Sequence, residues 1–181
     1  MVGERITRGE IIVLRHAPAN DQTRELLDYG RSMAQNAKEK VGRFGIVIAS
    51  EMPRAQETAE ILTGASPEVD ERAGYNVVFS AEERRRQLET LAISRPEDSV
   101  HNVFRWGADV PEQIISAGSG LLFLLADILQ RLDENGRALV ISHNSPMEPA
   151  MTVFTGKNDR FFQPLTGFRV MSGMNVAYYT P

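Results

Sequence analysis

The apolar residues of this chain fall into short unbroken runs, separated by stretches with helical spacing. Ile11-Ile12-Val13-Leu14 is such a run, and three of its four residues are β-branched. A run without polar alternation is the pattern of a strand covered on both faces. Ile46-Val47-Ile48-Ala49, opened by Gly45, and Ala138-Leu139-Val140-Ile141 repeat it. Between the first two, residues 29–41 have helix-favouring composition, with Met33, Ala34, Ala37 and Val41 at helical spacing. Pro53 predicts a helix start, because its missing N–H costs nothing in a first turn; that helix runs to about Leu62, and Gly64 is its stop signal. Residues 120–132 predict a buried helix ending near Asn135-Gly136, and residues 146–154 another. Phe168-Arg169-Val170-Met171 and Asn175-Val176-Ala177-Tyr178-Tyr179 read as closing strands around a Ser172-Gly173 turn. Residues 65–119 are less patterned, with Val77-Val78-Phe79 as a strand and 81–93 as a polar helix.

Strands alternating with helices predict an α/β sandwich with a largely parallel sheet, and 181 residues suit one domain, residues 1–181. The composition adds mainly exclusions. A net charge of -4 gives no support for a nucleic-acid or anionic-membrane binder. The absence of cysteine removes disulfides, thiolate catalysis and zinc–cysteine sites together. The first residues carry spread charges and no apolar segment of a secretory signal, and Asp127 interrupts the greasiest run, so a soluble cytoplasmic protein is expected.

In parallel sheets ligands collect beyond the carboxyl ends of the strands. Two of the three histidines stand there: His16 follows Ile-Ile-Val-Leu-Arg, and His143 follows Ala-Leu-Val-Ile-Ser. The second strand ends in Ser50, with Arg54 four residues on. Three strand ends thus supply two imidazoles and two guanidiniums, Arg15 and Arg54. Arginine forks match phosphate oxygens and keep their charge, and helix N-termini favour anions. A neutral imidazole is a competent nucleophile toward phosphorus, and a protonated one stabilises charge on the phosphoryl oxygens. The same set suits a metal poorly, since the arginines repel a cation and no carboxylate stands at ligand-like spacing.

These segments resemble the histidine phosphatase (phosphoglycerate mutase-like) superfamily. Leu14-Arg15-His16-Ala17 is similar to its Arg-His-Gly/Ala signature, and residues 50–59 to its Ser-x-x-x-Arg-Ala-x-x-Thr-Ala segment. Asp28-Tyr29-Gly30-Arg31 with Ala34 and Ala37 resembles its Leu-x-x-x-Gly-x-x-x-Ala helix start, and Val140-Ile141-Ser142-His143 its second histidine motif. The resemblance implies a three-layer α/β/α sandwich, with His16 as phospho-acceptor, Arg15 and Arg54 as phosphate clamps and His143 as a further phosphate ligand. It implies no metal and no organic cofactor.

Two stretches depart from the family pattern. Val69-Asp70-Glu71-Arg72-Ala73-Gly74-Tyr75 resembles the acid-bearing segment only in part, with no Glu-Gly pair after it. Glu71 is the first candidate for a general acid, with Glu82 and Glu83 behind it, and all three also read as solvated surface carboxylates. Such an acid contributes roughly 10²–10⁴ in rate by protonating a poor leaving group, so its absence points to phosphohistidine or another activated substrate. In the loop after His16, Asn20 is a candidate phosphate donor out of the family register. Arg-His-Ala and His143-Asn144-Ser145-Pro146 lean toward the small phosphohistidine phosphatases. Arg84-Arg85-Arg86 reads as an exposed helix face balanced by Glu82, Glu83 and Glu89, or as an anion contact. Phe104-Arg105-Trp106 is core or lid, and His101 structural or exposed. The expected activity is a phosphatase acting on a phosphorylated small molecule or phosphoprotein. A phosphomutase and a non-catalytic phospho-ligand binder are the alternatives.

Overall fold

The computed structural model describes residues 9–74, 111–155, 161–171 and 175–181. Six strands form one sheet: β1 (Glu10–Arg15), β2 (Ile46–Ala49), β3 (Glu68–Val69), β4 (Arg137–Ser142), β5 (Gly167–Met171) and β6 (Asn175–Tyr179). Their order is β3-β2-β4-β1-β5-β6. The first four are mutually parallel, and β5 and β6 add an antiparallel edge beside β1. The helices are α1 (Asp28–Val41), α2 (Pro53–Thr63), α3 (Pro111–Arg131) and α4 (Asn144–Thr155), with a short 3-10 turn, Glu71–Ala73, after β3.

Alternate residues of the buried strands serve opposite layers, which is why the runs carry no polar alternation. Ile12, Leu14, Leu139 and Ile141 meet Ala34, Ala37 and Val41 of α1 and Ala55, Ala59 and Leu62 of α2. Ile11, Val13, Ala138 and Val140 meet Leu121, Leu124, Leu125 and Ile128 of α3 and Met147, Ala150 and Met151 of α4. The result is the three-layer α/β/α sandwich around a mostly parallel sheet.

The local signals explain most boundaries. Pro53 opens α2, and Gly64 closes it in the left-handed conformation (φ 76°), its N–H donating to the Glu60 carbonyl at 2.7 Å. Asp28 in the first turn of α1 and Lys38 and Lys40 in its last complement the helix dipole. Gly30 lets α1 lie directly on the loop after β1, where the Leu27 N–H donates to the Pro18 carbonyl at 3.0 Å; a Cβ at Gly30 would overlap that carbonyl. Gly30→Ala is therefore expected to destabilise the fold by about 1–3 kcal/mol, the usual cost of overpacking, read as a lower urea midpoint at unchanged m-value.

Three expectations need correction. Met33 is not on the buried stripe of α1; it is 41% exposed, and Gly30 takes its place beside Ala34, Ala37 and Val41. The apolar run 121–129 is buried on one face only, for Phe123 points outward at 68% exposure. The helix after His143 begins at Asn144, two residues before Pro146, and α3 begins at Pro111. No apolar run marks β3, which is two residues long with both side chains exposed. The strand at 77–79, the helix at 81–93, Glu82, Glu83, Arg84–Arg86, His101, Phe104-Arg105-Trp106 and the Ser172-Gly173 turn lie outside the described residues.

Candidate active site

The strand order brings the chemistry together. β4 lies between β2 and β1, with Arg15 paired to Ser142 and Ala49 to Ile141. One residue further along, β1 delivers His16 beside His143, and β2 delivers Ser50 across from Ser142. The ring centroids of His16 and His143 are 4.9 Å apart, tilted by 59°. Both arginines lie close enough to both imidazoles to act on them electrostatically, and the Arg54 side chain is only 12% exposed. The four groups singled out from the sequence thus occupy one site at the carboxyl edge of the sheet.

Each is held by identifiable neighbours. His16 is buried, and its Nδ1 lies 2.6 Å from the carbonyl oxygen of Ala17. A carbonyl only accepts, so Nδ1 carries the proton and Nε2 keeps its lone pair. Burial lowers this imidazole from 6.5 to about 3; the Ala17 carbonyl acts the other way, and Arg54 and Arg15 add to the depression. His16 is therefore a neutral base through the physiological range. Thr58 fixes the loop that carries it: its Oγ1 accepts from the Ala17 N–H at 3.1 Å and donates to the Arg54 carbonyl at 2.6 Å. Thr58 thereby couples the His16 loop to the first turn of α2, which is the structural reason for Arg-Ala-x-x-Thr-Ala: the two alanines, both buried, let α2 approach the sheet.

His143 is fully buried, with Nε2 2.7 Å from Ser50 Oγ, and Ser50 Oγ also accepts from the Met52 N–H at 3.3 Å. Burial holds this imidazole well below 6.5, with His16, Arg54 and Arg15 contributing in the same direction. In the free protein it is neutral, so the protonated form expected to stabilise phosphoryl charge requires an anion to be bound first. Arg15 Nη1 donates to the Phe162 carbonyl at 2.8 Å, and its guanidinium lies 5.0 Å from the centre of the Phe161 ring. With the Asn144 amide oriented to satisfy both ends, Nδ2 donates to the Phe162 carbonyl at 2.9 Å and Oδ1 accepts from Arg15 Nη1 at 3.1 Å.

The remaining candidates fare differently. Asn20 Oδ1 accepts from the N–H groups of Gln22 and Thr23 at 2.8 and 3.2 Å, so this side-chain oxygen organises its own loop. Asp21, fully exposed, reaches within 3.9 Å of Arg54 Nη1, a solvated pairing worth little. Glu71 is exposed on its 3-10 turn, although the turn itself is fastened to the site: Ser142 Oγ donates to the Ala73 carbonyl at 2.6 Å, and the Glu51 carboxylate packs on Gly74. Ser50, Thr58, Asn144 and Glu148 join the site without a role legible in the sequence. Ser50 and Thr58 stood in a recognised motif; Glu148, as the sole charge of an apolar helix beside His143, was the available signal for a buried acid. Among the described residues no three His, Asp or Glu side chains cluster as metal ligands do. No helix of those residues is long and apolar enough to cross a membrane.

The two buried imidazoles make stability acid-sensitive. A folded-state value below the unfolded one means the unfolded chain binds more protons, so stability present above pH 6.5 is lost as pH falls toward 3. From His16 the loss is about 5 kcal/mol, one pKa unit being about 1.4. Urea midpoints at pH 7, 5.5 and 4 are expected to fall steadily, and His16→Asn to flatten the trend; a flat wild-type profile would contradict the burial.

No protein-family model matches the chain, and neither does any curated protein. Solved structures do. Phosphoglycerate mutase from Bacillus anthracis superposes with a TM-score of 0.66 at 13% identity, over 96% of this chain and 92% of that one. Mycobacterial glucosyl-3-phosphoglycerate phosphatase in complex with VO3 gives 0.64 at 14%, over 95% and 98%. Phosphoserine phosphatase from Entamoeba histolytica, in complex with 3-phosphoglyceric acid, gives 0.61 at 16%, over 92% and 96%. The fold is phosphoglycerate mutase-like. Across nearly the whole length of each neighbour, the chain is similar to both mutases and phosphatases of that fold.

Proposed function

We propose that the protein is a histidine phosphatase that hydrolyses a phosphate monoester or phosphohistidine through a phosphohistidine intermediate on His16. The observation that carries this reading is the His16–His143 pair, 4.9 Å between centroids, under the electrostatic influence of two arginines. A dianion is the ligand that such a cationic, dehydrated pocket favours. The similar folds named for phosphoserine and glucosyl-3-phosphoglycerate phosphatases support the reaction class.

The chemistry follows from the tautomer. His16 Nε2 attacks phosphorus in line with the leaving oxygen or nitrogen; the Nε2–P bond forms as the P–O or P–N bond breaks. Nδ1–H stays on the Ala17 carbonyl and steadies the ring as it becomes cationic. Arg15 and Arg54 hold the equatorial oxygens. With Nε2 of His143 engaged by Ser50, the phosphate contact of that ring falls to Nδ1. The bound dianion offsets the arginine charges and restores the affinity of His143 for a proton. Water then attacks phosphorus on the far side of the N–P bond, releasing inorganic phosphate and neutral His16.

Glu71 is the proposed donor of the leaving-group proton, its turn being tied to Ser142. Its exposure favours substrates with an easy leaving group, phosphohistidine among them. The reaction takes place within the single domain 1–181, on a phosphorylated small molecule or phosphoprotein. Incubation with p-nitrophenyl phosphate and with a phosphohistidine peptide is expected to release phosphate. Rapid acid-free quenching with a ³²P substrate is expected to trap an alkali-stable, acid-labile label on the protein. Isomer formation outpacing phosphate release would make it a mutase instead, and phosphate binding with neither product a phospho-ligand binder.

A further inference from the structure

Glu148 is a buried carboxyl group that the proposed reaction does not use. It is 5% exposed and is the only charged residue of α4. Four residues along a helix return to the same face, so Glu148 stacks one turn above Asn144, the residue whose amide bridges Arg15 and the Phe162 carbonyl. Among the described residues, the charge that acts on Glu148 is the Arg15 guanidinium. The face of α4 that carries these two residues therefore lies against Arg15.

The other surroundings are apolar or already engaged. Across the α3–α4 interface stand Leu121, Leu124 and Leu125. The described charges of α3, Asp127 and Arg131, pair with Arg72 and Glu68. Arg137 and Arg169, on β4 and β5, are bound to Glu10 at the far end of the sheet. His16 and His143 are neutral above the acid range.

We propose that Glu148 is a positioning residue that sets the anion affinity of Arg15: as a neutral carboxyl it backs the guanidinium, and on ionising it takes the guanidinium away from phosphate. The proposal rests on Arg15 being a phosphate clamp. The physical basis is competition between two anions for one fork. Burial raises the carboxyl from 4.5 to about 8, outweighing the opposing pull of Arg15, so near neutral pH the acid is protonated and the arginine keeps its charge for the ligand. A phosphate dianion holds the acid neutral still more firmly, so above that range binding must be accompanied by proton uptake.

The test is binding of inorganic phosphate by isothermal titration calorimetry to the intact protein between pH 7 and 9.5, with no turnover required. Wild-type affinity is expected to fall above pH 8 by up to about tenfold per unit, with proton uptake seen as a buffer-dependent heat. Glu148→Gln, which keeps the shape and neutrality, is expected to bind as wild type at pH 7 and to hold that affinity to pH 9.5. Glu148→Ala is expected to lose about tenfold at every pH, an effect carried in KM rather than kcat if turnover is measured. Identical alkaline profiles for wild type and Glu148→Gln would overturn the proposal, even if Glu148→Ala fails to fold. Absence of hydrolysis with the binding profile intact would overturn the phosphatase reading alone.

Discussion

Replacing His16 with Ala is expected to lower kcat for p-nitrophenyl phosphate by about 10⁴-fold or more while leaving phosphate binding within about threefold of wild type. The separation follows from the division of labour in the site. In the proposed reaction Arg15, Arg54 and His143 bind the anion, and other segments hold them: Phe162 and Asn144 for Arg15, the α2 first turn for Arg54, Ser50 for His143. The backbone of residue 16 stays fixed, because its N–H donates to the Ser142 carbonyl at 3.1 Å and Thr58 holds Ala17. What disappears is the Nε2 lone pair of a ring whose Nδ1–H donates to the Ala17 carbonyl. The ³²P label is expected to disappear with it. Turnover within tenfold of wild type would show that another group, or water directly, attacks phosphorus.

Arg54→Ala is expected to reduce kcat/KM by about 10²–10³, and Arg54→Lys by about tenfold to a hundredfold. The arginine side chain is nearly buried, in the first turn of a helix that offers its own N–H groups to an anion. Lysine keeps the charge but has no planar fork, so one of two parallel charged hydrogen bonds to phosphate is lost. The effect is local, since the Thr58 contact on residue 54 is to its backbone carbonyl. The ratio between the two variants is the measurement: if Lys restores full activity, the arginine supplies field alone and the clamp is refuted.

Glu71 and Asn20 mark where residue type alone says little about placement. Asn20 has the right chemistry for a phosphate donor, and its oxygen instead closes a turn onto Gln22 and Thr23, the commonest work of an asparagine in a loop. Glu71 stands exposed on a turn tied to Ser142 through the Ala73 carbonyl, a placement that a partial motif does not encode. Glu148 went unremarked for the opposite reason. Its helix is apolar enough to bury it, and nothing in the linear pattern says that the buried face is shared with Asn144 and directed at Arg15.

The sequence by itself determined the buried strands, α1, α2 and the identity of the two histidines and two arginines at strand ends. Unbroken β-branched runs, a proline in a first turn and a glycine after a last one are local signals, read within a few residues of where they act. Only the tertiary structure decided that β4 slots between β2 and β1, and so which strand ends are neighbours. It also decided that the two arginines come to the two imidazoles and that Glu148 is dehydrated. Those outcomes depend on groups more than a hundred residues apart, such as Arg15 and Phe162, and desolvation and hydrogen bonding act through space with no trace in the spacing of residues along the chain.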